Sequence, residues 1–142
     1  MSSTARIELE TVAAGLRFRA TAGSGQSTVV DSGPGMVAPS PIEMLLISLA
    51  SCHAMDVIGI LRKKRQRVTA YVVEARGERR AEHPRAFTRI ELVHRVTGHG
   101  VSLQAVEDAA RLSETKYCSV HHSLSPAIEM LSRCEVVEAP GS

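Results

Sequence analysis

Three cysteines are the residues of this sequence best suited to thiol chemistry. Cys52 lies in an apolar stretch, Cys118 and Cys134 follow, and none of them forms a close Cys-x-x-Cys pair. The thiolate is the reactive form of cysteine and depends on its surroundings, whereas free cysteine often packs as a small buried residue. Both interpretations stay open for Cys52 and for Cys118, whose predicted place at a helix end suits a resolving thiol. Cys134, alternating with Val136 on a predicted strand, is interpreted as structural.

Three histidines lie close to these cysteines in sequence. His53 follows Cys52 directly, and neighbours on a helix project about 100° apart, so we interpret His53 as a packing or interface residue. His121 and His122 follow Cys118 in a Cys-x-x-His-His arrangement, which suggests zinc. A tetrahedral site needs a fourth ligand, and adjacent histidines do not easily face one metal from a regular element. We therefore predict no metal, and the role of these two histidines stays open.

A long apolar helix is predicted to position Cys52. Ser40 suits the N-cap, Pro41 the first helical position, and Glu43 completes a Ser-x-x-Glu capping box. From Met44 to Leu61 nearly every face is apolar, which is typical of a helix enclosed on most sides. One small domain has little room to surround such a helix, so we predict a homodimer in which a second copy covers it.

Strands precede and follow this helix, which indicates an α+β fold with strands, helix, strands, helices and a last strand in that order. An opening hairpin is predicted from two alternating segments joined by Ala13-Ala14-Gly15. Ser102 is predicted to cap a second helix, with Leu103, Val106, Ala110 and Tyr117 on its apolar stripe. The predicted strands are 6–10, 16–21, 27–31, 68–78, 86–97 and 134–138, and the further helices are 103–117 and 126–131.

The composition bounds the size and the partners of the protein. A chain of 142 residues that is 44% hydrophobic fits a single domain, 1–142. A net charge of +2 and an aromatic content of 3% argue against nucleic-acid binding. The basic cluster at 62–67 is interpreted as complementing the dipole at the end of the long helix.

The segment Ile42 to Leu61 approaches the length of a membrane span. Glu43, His53 and Asp56 argue against that interpretation, because an ionised side chain near the bilayer centre costs about 2.5 to 3.5 kcal/mol. Met1 to Ala22 mixes charged and apolar residues and has no apolar signal centre. We predict a cytoplasmic protein with no membrane partner, whose odd number of cysteines is kept reduced.

Five segments carry a family resemblance: APSPIEMLL (38–46), ASCHAMDVIGILR (50–62), RGERR (76–80), HPRAFT (83–88) and LSETKYCSV (112–120). The chain resembles the OsmC/Ohr family over essentially its whole length. The segments 76–80 and 83–88 are similar to the YhfA-like branch of that family. The resemblance implies an OsmC-like fold: an intertwined homodimer with antiparallel sheets wrapping long central helices and an active site at the dimer interface.

The same resemblance implies thiol-dependent reduction of organic or inorganic hydroperoxides, without a cofactor. By position, Cys52 corresponds to the peroxidatic cysteine and Cys118 to the resolving one. The peroxide would oxidise Cys52 to a sulfenic acid, Cys118 would close a disulfide, and a lipoyl or small-thiol reductant would reopen it. The alternative is a non-catalytic dimer that binds a small molecule or senses redox state.

The family's activating groups are less directly placed in this sequence. A glutamate that follows the helix-start proline in well-known branches is replaced by Ile42, with Glu43 one position later, and we favour the capping role for Glu43. The arginine that lowers the pKa of the reactive thiol in those branches corresponds to Arg17 or Arg19.

Overall fold

The computed structural model describes residues 1–10 and 15–141 of the chain. They fall into two compact units, Met1–Leu45 and Leu46–Ser142. The first unit holds the sheet formed by β1 (Ala5–Leu9), β2 (Phe18–Ala22) and β3 (Ser27–Val30), in that order and antiparallel throughout. The predicted opening hairpin is therefore confirmed, and its Ala13-Ala14 connection lies outside the described residues.

The long helix α1 (Pro41–Lys63) begins where the capping pattern predicts. The Glu43 carboxylate accepts hydrogen bonds from the Ser40 main-chain N–H at 3.0 Å and from the Ser40 hydroxyl at 2.9 Å. Two residues beyond the helix, Arg65 adopts the left-handed conformation, with φ of 55°. The Gln66 N–H then bonds the Leu61 carbonyl at 2.9 Å, which satisfies a carbonyl of the last turn.

The second unit is built on β4 (Arg67–Arg79), β5 (Phe87–His99) and β6 (Glu129–Glu138), in that order. β4 and β5, predicted as the strands 68–78 and 86–97, form an antiparallel pair, but β6 runs parallel to β5. The expectation of purely antiparallel sheets is wrong here. The chain passes through helices between β5 and β6, and such a crossover returns the next strand in the same direction.

The helical connection consists of α2 (Leu103–Leu112), a π-helical turn (Ser113–Tyr117) and α3 (Ser119–Ser123). Ser102 caps α2 as predicted, accepting the Ala105 N–H at 3.2 Å. The helix predicted at 126–131 is wrong, because Pro126 lies in a turn and β6 begins at Glu129, paired with β5. Hydrogen bonding to a strand distant in sequence prevails over the local helical signal of proline.

The core of this unit forms between one stripe of α1, the middle of β5 and the inner face of α2. Val57, Val96 and Val106 are fully buried in it. Leu103 and Tyr117, both predicted on the apolar stripe of the second helix, are instead 46% and 50% exposed. α2 ends at Leu112, and the π turn that follows changes the helical phase. Tyr117 therefore does not lie on the buried face of α2.

Candidate active site

Cys118 lies at the junction between the π turn and α3. Its main-chain N–H donates to the Ser113 carbonyl at 2.8 Å, which closes the wide turn, and its own backbone is extended, with φ of −74° and ψ of 102°. The Cys118 sulfur in turn accepts the His121 main-chain N–H at 3.3 Å and caps α3. Cys118 therefore follows a helix end, as the sequence predicts, and also starts the next helix.

The structure brings Cys52 of α1 and Cys118 together as neighbours. Both are free thiols; Cys118 is fully buried and Cys52 half-buried. Burial raises the pKa of Cys118 to about 12, and the neighbouring Cys52 side chain adds to the rise. The His121 N–H acts in the opposite direction but does not outweigh them. Cys118 is accordingly a protonated thiol at neutral pH.

Asp56, one turn beyond Cys52 on α1, holds the π turn in place. Its carboxylate accepts a hydrogen bond from the hydroxyl of the buried Ser113 at 2.8 Å. The negative charge of Asp56 is a further, smaller cause of the raised pKa of Cys118. In the sequence, Asp56 is used only as an argument against a membrane span. Its contact with Ser113 could not be predicted, because the two residues are far apart along the chain.

A second polar contact joins α1 to α3. The Nε2 atom of His53 and the Nδ1 atom of His121 are 3.1 Å apart and share a hydrogen bond. His53 is 1% exposed, and burial, followed by the charges of His121 and His94, lowers its pKa to about 4. The pKa of His121 is also lowered by burial, against an opposing effect of Glu114. Both rings are neutral at pH 7.

A tyrosine and a third histidine lie behind His53. The Tyr71 hydroxyl and His94 Nδ1 are 2.6 Å apart, and the His94 ring centroid lies 6.1 Å from that of His53. Burial lowers the pKa of His94 to about 4 and raises that of Tyr71, so both side chains are neutral. Neither residue is identified as functional in the sequence, where each looks like an ordinary strand position.

The cysteine–histidine cluster does not have the arrangement of a metal site. Among residues 1–10 and 15–141, no three His, Cys, Asp or Glu side chains are grouped so that they could hold a metal ion. His122 is exposed, with its ring centroid 5.5 Å from that of His121. Both rings border a cavity of about 400 Å³ whose other walls include Leu124, Ile128 and Met130.

The predicted activating residues belong to the first unit, and each has a partner there. Arg17 pairs with the buried carboxylate of Asp31 at 3.2 Å, and Arg19 pairs with Glu10 at 3.2 Å. Hydrogen bonds from the Val37 and Ser32 main-chain N–H groups and from Arg17 hold the pKa of Asp31 low. Glu43 has the capping contacts described above.

The elements and the cluster define a small α+β protein with two neighbouring free thiols. The profile of the family described as OsmC-like protein matches residues 32–131, and the chain belongs to that family. Protein YhfA of Escherichia coli K12 is 43% identical over 125 residues, which cover 88% of this chain and 93% of YhfA. The predicted membership of the YhfA-like branch is confirmed.

Solved structures agree with this assignment. A hypothetical protein from Aquifex aeolicus is 30% identical, with a TM-score of 0.85 and coverage of 98% of both chains. The organic hydroperoxide resistance protein OhrB of Bacillus subtilis is 9% identical, with a TM-score of 0.61 over 95% of this chain and 98% of that one. The second similarity shows a shared fold alone.

Proposed function

We propose that this protein is a thiol-dependent peroxidase of oxidative-stress defence that reduces organic or inorganic hydroperoxides through Cys52 and Cys118. The observation that carries the proposal is the proximity of two free thiols in one chain, one half-buried and the other fully buried. The name of OhrB, whose fold this chain shares, supports hydroperoxides as the substrate class.

The roles of the two thiols follow from their exposure. Cys52 is open enough for a small peroxide to reach, so we assign it the first attack. Its sulfur takes the terminal peroxide oxygen, the O–O bond breaks, and an alcohol leaves, or water when the substrate is hydrogen peroxide. Cys118 is buried and protonated, which suits a thiol that reacts only with its neighbour. Its sulfur attacks the Cys52 sulfenic acid, the S–O bond breaks, and water carries away the proton.

The cycle requires an external dithiol, and we propose a lipoyl or small-thiol reductant. One reductant sulfur attacks the Cys52–Cys118 disulfide, and its second sulfur displaces the mixed disulfide, so two electrons and two protons return to the enzyme. No cofactor takes part. Arg17, Arg19 and Glu43 stay proposed activating residues of Cys52.

We further propose that the chain acts as one OsmC-like domain, 1–142, in a cytoplasmic homodimer. The family profile spans 32–131 and so includes parts of both compact units. In the single chain only one stripe of α1 is fully buried, at Leu49, His53, Val57 and Leu61. By length and composition α1 could also cross a membrane, a property that core helices of globular proteins share.

The test is peroxide consumption by the purified protein with dihydrolipoamide or dithiothreitol. Wild-type protein is expected to turn over cumene hydroperoxide or hydrogen peroxide, and Cys52→Ser to abolish turnover, because no other thiol replaces the attacking sulfur. Cys134→Ser is the matched control and is expected to retain activity, since Cys134 lies against the core of the second unit. Wild-type protein that is inactive with every peroxide and reductant would contradict the proposal.

That negative result would favour the second candidate, a non-catalytic dimer that binds a small molecule or senses redox state. The observation in its favour is a cavity of about 630 Å³ in the first unit, lined mainly by apolar side chains that include Ile7, Phe18 and Met44. A cavity of this size and polarity is typical of a site for a small apolar ligand.

A further inference from the structure

The segment that carries Cys118 is short and has little packing of its own. α3 has five residues, none of them fully buried, and follows directly on its N-cap, Cys118. A helix of this length is not stable by itself, so its position depends on contacts with neighbouring elements. One such contact is the hydrogen bond between the rings of His121 and His53, which crosses from α3 to α1.

His121 contacts the thiol pair through two different groups. Its main-chain N–H donates to the Cys118 sulfur at 3.3 Å, while its ring bonds His53, the residue next to Cys52, at 3.1 Å. If the His121 ring moved away from His53, the main-chain N–H of His121, which faces the Cys118 sulfur, would move with it. Cys118 would then lose its place beside α1, the helix that carries Cys52. His53 is itself 1% exposed, so it provides a fixed partner for that ring.

We propose that His53 and His121 are positioning residues for the thiol pair: their ring-to-ring hydrogen bond holds the Cys118 segment against α1, beside Cys52. This inference rests on the proposed pairing of the two cysteines but not on a peroxide as the oxidant. Two thiols held side by side react as if at high local concentration, which favours the disulfide at equilibrium. Loss of the contact makes the disulfide easier to reduce.

The test measures the equilibrium between the dithiol and the disulfide in dithiothreitol buffers. Oxidised dithiothreitol takes two electrons and two protons from Cys52 and Cys118 as their S–S bond forms, and mass spectrometry after alkylation gives the oxidised fraction. We expect His121→Ala to lower the equilibrium constant about tenfold, which corresponds to about 30 mV for a two-electron couple. His121→Asn, whose amide keeps a polar atom near Nδ1, is expected to stay within about twofold of wild type.

His122→Ala is the matched control, because His122 is an exposed neighbour on the same short helix. It is expected to leave the constant unchanged. If His121→Ala lowers the melting temperature, His121→Leu takes its place, since leucine fills the volume without a hydrogen bond. Equal constants for wild type and both apolar variants would overturn the proposal, and so would a loss in His121→Asn or His122→Ala as large as in His121→Ala.

The outcomes also separate this inference from the proposed function. A wild-type disulfide that depends on His121, in a protein without peroxide turnover, would support the inference and contradict the peroxidase. Peroxide turnover together with identical constants in all variants would support the peroxidase and overturn the inference. Wild-type protein that forms no Cys52–Cys118 disulfide at any buffer ratio would overturn both.

Discussion

Each buried polar side chain around the thiol pair is kept neutral by its surroundings. His53 and His94 both have a pKa of about 4, and the raised pKa values of Tyr71 and Cys118 keep those groups protonated. Burial is the first cause in all four cases, because it penalises the charged form of every group. The interior of the second unit therefore carries no net charge from these residues at pH 7.

This neutrality makes stability depend on pH in a defined window. The two buried histidines bind a proton in the unfolded chain near pH 6.5 but in the folded protein only near pH 4. These histidines therefore do not reduce the free energy of unfolding above pH 6.5. Below pH 6.5 the free energy of unfolding decreases as the pH falls toward 4. Each histidine contributes a slope of about 1.4 kcal/mol per pH unit to the free energy of unfolding.

Urea unfolding at pH 7.5 and pH 5.5 measures this slope. His94→Asn, whose amide can still bond Tyr71, is expected to reduce the loss on acidification by about a third to a half, because one of the buried histidines with a lowered pKa is gone. His122→Asn, at an exposed position, is expected to leave the loss unchanged. An equal loss in all three proteins would show that the buried histidines do not cause it.

At the scale of elements, glycines near the end of β5 show two separate constraints. A Cβ atom at Gly98 would collide with the main-chain carbonyl oxygen of Arg67 on β4, whereas one at Gly100 would meet nothing within 4 Å. Gly100 instead has a φ of +61°, which is strained for a residue with a side chain. One glycine allows two strands to approach closely, and the other allows the chain to turn toward α2.

The two constraints predict different responses to the same substitutions. Gly98→Ala and Gly98→Asn are both expected to destabilise the protein by about 1 to 3 kcal/mol or more, because either side chain overpacks the strand pair. Gly100→Ala is expected to cost about 1 to 2 kcal/mol, and Gly100→Asn clearly less, since asparagine tolerates the left-handed region. Denaturant unfolding provides the comparison, and a Gly98→Asn protein as stable as Gly100→Asn would contradict it.

Local signals predicted the elements that depend on local interactions. The capping box placed the start of α1 correctly, and the strands predicted at 68–78 and 86–97 correspond to β4 and β5, because capping and strand preference depend on neighbouring residues. The helix predicted at 126–131 was wrong, and the antiparallel sheets that the resemblance implies do not extend to β6, because the pairing of β6 with β5 depends on residues far apart in the chain.

The candidate site was predictable only in part for the same reason. The family resemblance singled out Cys52 and Cys118, and their contact agrees with that choice without testing their roles. His53 and His121 are 68 positions apart, so their hydrogen bond leaves no trace in the local pattern around either residue. Asp56 and Ser113 are likewise joined only by the fold.

At the scale of the whole molecule, α1 leaves an apolar face uncovered in the single chain. Ile47 and Met55, two turns apart on one side of the helix, are 47% and 72% exposed. Exposed apolar side chains on one face of a long helix are typical of a surface covered by another subunit. The proposed homodimer supplies that cover.

The homodimer predicts a mass of twice 15.3 kDa in light scattering after size-exclusion chromatography. Met55→Lys, which places a charge on the uncovered face of α1, is expected to shift the protein toward the monomer. Val72→Lys is the control, because Val72 is also exposed but lies on β4. A monomeric wild type, or an equal shift in both variants, would contradict a dimer formed through α1.

The π turn at Ser113–Tyr117 gives the second cysteine its direction. This turn holds one residue more than a regular helical turn, and each residue advances the helix by about 100°. Deleting one residue between Glu114 and Lys116 would restore the ordinary pitch and swing the following sulfur away from α1. A relative with such a deletion would keep both cysteines in its sequence and still hold them apart, so the length of this turn bears on the proposed thiol pairing as directly as the cysteines themselves.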